Sequence, residues 1–162
     1  RETAAKIGQP YVTERWICGM LTISQTITQQ IKKLKNLEKR MGSGDLEKRY
    51  SKLEVQRFQE EIDVLNSRYG GVKDLMGKPG AVVVVDAAVD ANAVREANVL
   101  GVPVFGVVDT NVNPTDVTYV VPGNDDAIKG LQLLLDYFAQ AVAEGAGSVK
   151  KADEKPVKKE EK

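Results

Sequence analysis

The sequence predicts a parallel α/β layer fold into which an antiparallel coiled-coil hairpin is inserted. The apolar run "AVVVVD" (81–86) has the continuous β-branched character of a strand buried on both faces of a parallel sheet, and "VPVFGVVD" (102–109) reads as the next strand. An amphipathic helical segment lies between them, as a parallel crossover requires. Residues 20–69 differ from both: they carry heptad spacing in two stretches separated by "GSGD" (42–45).

Residues 1–19 and 70–145 are expected to form the α/β domain, split in sequence by the hairpin. In the first hairpin helix Ile27, Ile31, Leu34 and Met41 follow alternating three- and four-residue steps, with Glu38 interrupting. In the second, Val55, Phe58, Ile62, Leu65 and Tyr69 repeat the pattern without a break. The glycines of "GSGD" supply the turn that folds the two back on each other. At ~1.5 Å per residue, twenty residues make an arm of about 30 Å, long enough to project from a small sheet. "YGGVKDLMGKPG" then re-enters the domain, its glycines serving as a hinge or letting backbone approach a phosphate.

After the first strand, "DANAVREANVL" places Ala93, Ala97 and Leu100 on one helical face, and Gly101 closes the helix. Pro103 starts the second strand, where a missing donor is tolerated. "VTYVV" (117–121) is shorter and belongs near an edge. A last helix is expected with Asn124 as cap, Asp125 and Asp126 in its first turn, and Gly145 at its end. The tail, 146–162, is Lys/Glu-rich with almost no apolar content and is expected to be disordered.

Composition narrows the chemistry. The chain has no histidine, which excludes Ser/His/Asp and Cys/His catalysis and His-based zinc sites. Its one cysteine, Cys18, has no partner for an internal disulfide, and no run of eighteen apolar residues occurs. A soluble protein of a reducing compartment is expected, with no membrane and no cofactor. The net charge of zero hides an asymmetry: residues 1–80 carry 15 Lys/Arg against 10 Asp/Glu, whereas 81–145 carry 2 against 9. A basic half of this kind fits contact with a polyanion, although solvated helix faces account for such an excess equally well.

Three candidate sites follow. Asp86 and Asp109 end adjacent strands at the edge where open α/β sheets bind ligands, so a magnesium-dependent or small-molecule enzyme is one reading. The chain lacks a P-loop or GxGxxG pattern, and short polar residues after strands more often make turns and caps. The first hairpin helix carries Lys32, Lys33, Lys35, Lys39 and Arg40 against Glu38 alone, which suits phosphate contact. At the hairpin's base "RWICGM" holds Arg15, Trp16 and Cys18; core packing is the default for the indole and stacking on a nucleotide the minority reading. Cys18 has no visible activating base and reads as a packed or idle thiol.

"GQPYVTERWICGMLT", "LNSRYGGVKDLMGKPGAVVVVD", "EANVLGVPVFGVVDTN" and "VTYVVPGNDDAIKG" together resemble bacterial-type small-subunit ribosomal protein two, from residue 1 to about 145. The resemblance implies an incomplete flavodoxin-like layer with a protruding helical hairpin, and a structural, non-enzymatic role in translation. It implies a cytoplasmic, ribosome-associated protein whose partners are small-subunit rRNA and neighbouring small-subunit proteins, including the large first protein that engages mRNA. Carried onto this chain, it places Arg15 and Trp16 near rRNA, with Lys32, Lys33, Lys35, Lys39 and Arg40 along the contact. Family members usually have a further amino-terminal third with an HFGH-like motif, so uncovered apolar surface is expected on the sheet. Cys18 stands where the family usually has glycine, and "DTNVNPTDV" replaces a more acidic loop.

Overall fold

The computed structural model describes residues 1–75 and 77–153, of which 148–153 are described by backbone alone. A short helix α1 (Glu2–Lys6) is followed by an extended segment, then α2 (Ser24–Gly42), α3 (Asp45–Arg49) and α4 (Lys52–Tyr69). The sheet region contains β1 (Val82–Val84), α5 (Ala91–Val99), β2 (Val104–Val108), β3 (Tyr119–Pro122) and α6 (Ile128–Asp153). The strands run parallel in the order β1-β2-β3, with Val83 beside Phe105 and Phe105 beside Tyr119. The α/β class and the edge position of β3 are as the sequence predicts.

The sheet has a covered face and a partly covered one. Val84, Val104 and Val108 pack with Val94 and Ala97 of α5, and with Val102 and Val117, in one apolar cluster. Gly101, at φ +62°, stops α5 as expected, and its N–H donates back to the Asn98 carbonyl. On the opposite face Phe105 stacks on Tyr119 and meets Phe138 of α6 edge-on. Val83 is nevertheless 43% exposed and Tyr119 54%, in line with the expectation of uncovered apolar surface.

A second apolar cluster forms where α2 and α4 pack together, built from Ile27, Leu34, Leu37, Ile62, Leu65 and Tyr69 with Met20 and Val72. Glu38, which breaks the heptad pattern, accepts an ion pair from Lys73 at 2.6 Å. The interruption is thus a polar contact with the segment that follows α4. The return stretch also differs from one continuous helix. Gly44 adopts φ +67° after α2, α3 begins at Asp45, and the chain breaks again at Tyr50 before Ser51 caps α4. Ser51 and Glu54 form a reciprocal capping box, so the "SKLE" pattern restarts the helix.

The last helix differs at both ends from the expectation. Asn124 Oδ1 accepts from the Asp126 amide at 2.7 Å in a local turn, and α6 starts only at Ile128. Asp125 and Asp126 therefore precede the helix. Gly145 does not end it: α6 continues to Asp153, because Ala and Lys sustain helix and an internal glycine costs only about 1 kcal/mol. The first eight residues of the predicted disordered tail are helical, and 154–162 lie outside the described residues.

Candidate nucleic-acid interface

The basic residues of α2 divide into two sets. Lys33 pairs with Glu61 of α4, and Lys35 with Asp74 at 3.1 Å. Arg40 contacts Asp45 at 3.3 Å and lies 5.9 Å from the Tyr50 ring centroid. Tyr50 and Asp45 together raise the Arg40 guanidinium above its usual value. Lys32 and Lys39 are exposed and have no ion-pair partner among the described residues. They stand seven residues apart, two turns along the same helix face, about 10 Å from each other along the axis. Of the five predicted cations on α2, the structure therefore leaves two without a partner to exchange among the described residues.

Arg15 is exposed, whereas Trp16 is half-buried against the α2/α4 cluster. The indole Nε1–H donates to Glu96 Oε1 at 3.2 Å, which favours the packing reading over free stacking. Cys18 is exposed, so its thiol is not packed. It lines an open groove of about 320 Å³ with Ile17, Ile23, Ile27, Leu65 and Tyr69.

The double glycine after α4 has a steric cause. A Cβ on Gly71 would lie 2.1 Å from the Tyr11 carbonyl oxygen, and the Tyr11 amide donates to the Gly71 carbonyl at 3.0 Å. Glycine is required for this backbone approach, which ties the entry segment to the end of α4.

The charges of both strand-end acids act on Asp125, and local amides occupy each of them. Asp86 Oδ1 accepts from the Ala88 and Val89 amides at 2.9 and 2.8 Å. Asp109 accepts from the Thr110 amide at 2.6 Å; this bond, against burial, and a contribution from the Asp125 amide hold its carboxyl below the usual value. Burial, then the charges of Asp86, Asp109 and Asp126, push Asp125 up, and its Oδ2 is shielded without a partner. Among the described residues no group of three or more Cys, Asp or Glu side chains is placed to hold a metal ion. These acids build turns.

Glu96 is the site residue that sequence reasoning passed over. It is 9% exposed, yet it accepts from the amides of Gly19, Leu21 and Thr22 at 2.6, 2.9 and 3.2 Å, as well as from the Trp16 indole and the Thr22 hydroxyl. Burial by itself pushes the carboxyl up, but the amide and indole hydrogen bonds outweigh it and hold it below the usual value. The signal was present: Glu96 falls within the apolar stripe of Ala93, Ala97 and Leu100, where a charge needs a partner.

Comparison with known proteins adds to this geometry. Small ribosomal subunit protein uS2 of Vibrio cholerae serotype O1, from the O395, M66-2 and N16961 strains, is 46% identical over 145 residues. The match takes in 90% of this chain, which spans 60% of the length of those relatives. Residues 1–145 match the family described as Ribosomal protein S2. A parallel three-stranded sheet, a packed helical pair ahead of it and this match over most of its length show that the chain belongs to the Ribosomal protein S2 family.

Proposed function

We propose that this chain is a non-catalytic structural constituent of the small ribosomal subunit that binds small-subunit rRNA in translation. Membership of the Ribosomal protein S2 family is the observation that carries the reading. In this reading residues 20–69 are a basic arm, Lys32 and Lys39 are its primary phosphate contacts, and Arg15 extends the contact at its base. Lys33 and Lys35 join by exchanging ion pairs at the surface, which are worth only about 0–1 kcal/mol each, whereas Arg40 is held by a part-buried pair with Asp45. Neighbouring small-subunit proteins, including the large first protein that engages mRNA, are the further partners, in a cytoplasmic ribosome.

The test is affinity for small-subunit rRNA as a function of salt. Binding through phosphates gives a steep negative slope, and each lost contact flattens it by about 0.7–0.9. Lys32→Ala with Lys39→Ala should therefore flatten the slope by about 1.5. A slope near zero for the parent chain, or an unchanged slope for the double variant, contradicts the reading.

A further inference from the structure

Among the described residues the two apolar clusters share no residue, so other contacts hold the α2/α4 pair in register with the sheet. The connection runs through residues 16–22, immediately ahead of α2. Trp16, Ile17 and Met20 belong to the α2/α4 cluster, while Leu21 packs against the sheet cluster. At the centre of this segment lies one carboxylate from α5.

Both oxygens of Glu96 are used there: Oε1 accepts from Gly19 and Trp16, Oε2 from Leu21 and Thr22. The donors are 74–80 residues away in sequence and belong to one short stretch. Gly19 adopts φ +86° in this turn, a conformation that disfavours any other residue. Bonds from amide donors to a buried carboxylate are charge-assisted and directional, which suits them to fixing an angle as well as a position.

We propose that Glu96 is a positioning residue that sets the angle at which the α2/α4 pair leaves the sheet, and so aligns Lys32 and Lys39 with rRNA phosphates. The leverage is geometric. α2 has 19 residues and begins two residues after Thr22. At ~1.5 Å per residue it is about 28 Å long, so a 10° tilt at its base moves its far end by about 5 Å. That displacement exceeds the length of a hydrogen bond and would break contact with a fixed phosphate. Besides these bonds, the Asp90 carboxylate accepts from the Trp16 backbone and α1 touches α6, while the Lys78 ammonium donates to the Leu100 carbonyl from a flexible side chain that holds an angle less firmly.

The alignment with rRNA rests on the function proposed above; the angle does not. Spin labels at Lys48→Cys on α3 and Gln132→Cys on α6, in a Cys18→Ser background, report the distance between the helical pair and the sheet region. With Glu96 intact a single narrow distribution is expected. Glu96→Gln puts an amide NH2 where at least two donors point and should at least double the width, with helix content by circular dichroism and exchange protection of the Val104–Val108 amides retained. Its rRNA affinity should fall about tenfold. An unchanged width in folded Glu96→Gln overturns the proposal, as does a doubled width with unchanged affinity. If Glu96→Gln does not fold, Trp16→Phe and Thr22→Val each remove one side-chain donor and keep the carboxylate; unchanged widths in both overturn it equally. Should the parent chain fail to bind rRNA, the proposed function falls, while the distance measurement still decides whether Glu96 sets the angle.

Discussion

The helical segment from α2 to α4 and the sheet region from β1 to α6 carry opposite charge and use it in different ways. In the helical segment, side chains pair with side chains: Lys33 with Glu61, Arg40 and Arg49 with Asp45, and Lys35 with Asp74 just beyond α4. In the sheet region, the acids pair mostly with backbone: Asp86 with Ala88 and Val89, Asp109 with Thr110, and Glu96 with the segment ahead of α2. An exposed ion pair can trade one partner for a phosphate at little cost. A carboxylate that completes a turn cannot leave without stranding amides. The first region is therefore suited to meeting an external polyanion, and the second to holding its own loops.

The comparison can be broken most forcefully through the helical cluster. Leu34 is fully buried between α2 and α4, and Leu34→Ala should cost about 2–5 kcal/mol in denaturant unfolding. A loss below ~1 kcal/mol would mean that this packing is not what holds the helices together. Gly71→Ala should follow at about 1–3 kcal/mol, because its Cβ meets the Tyr11 carbonyl, whose backbone cannot swing aside as a side chain could. Unchanged stability there would show that the approach of the entry segment to α4 is loose.

The pH dependence sharpens the contrast between the two regions. The folded Glu96 carboxyl lies below its unfolded value, so its contribution is present above the ordinary glutamate pKa of about 4.3 and is lost as pH falls through the lower folded value. Asp90 and Asp125 are shifted up and act in the opposite sense, so the difference is the readout: below pH 5 Glu96→Gln should lose stability less steeply than the parent chain. Parallel limbs would separate Glu96 from acid unfolding. The smallest effect expected is at the α4 cap, where Ser51→Ala should cost about 1 kcal/mol and raise exchange at the Glu54 amide.

Much of the layer was legible from local pattern. A continuous β-branched run marked β1, an apolar run after Pro103 marked β2, the 93/97/100 spacing marked α5, and Gly101 marked its end. The boundaries that failed were those where a side chain chose between helix and turn: Asn124 formed a local turn instead of capping α6, and Ser51 restarted a helix that heptad spacing alone draws as continuous. The capping pattern at Ser51 and Glu54 was readable, since it needs only a three-residue spacing.

The candidate interface was legible as a set of cations and illegible as a surface. Periodicity placed Lys32, Lys33, Lys35, Lys39 and Arg40 on one helix, because helical spacing is a local property. Which of them stay free depends on where Glu61, Asp74 and Asp45 come to lie, and that is settled by packing between segments. The same holds for Glu96 and Gly71. By itself the sequence determined the α/β class and the run of cations on one helix, since composition and short-range periodicity carry them. Only the tertiary structure decided that a charge within an apolar stripe would meet five donors some 74–80 residues away, and that a glycine would meet a carbonyl from the entry segment. Such contacts arise from chain segments brought together by burial of their neighbours, and no local spacing encodes them.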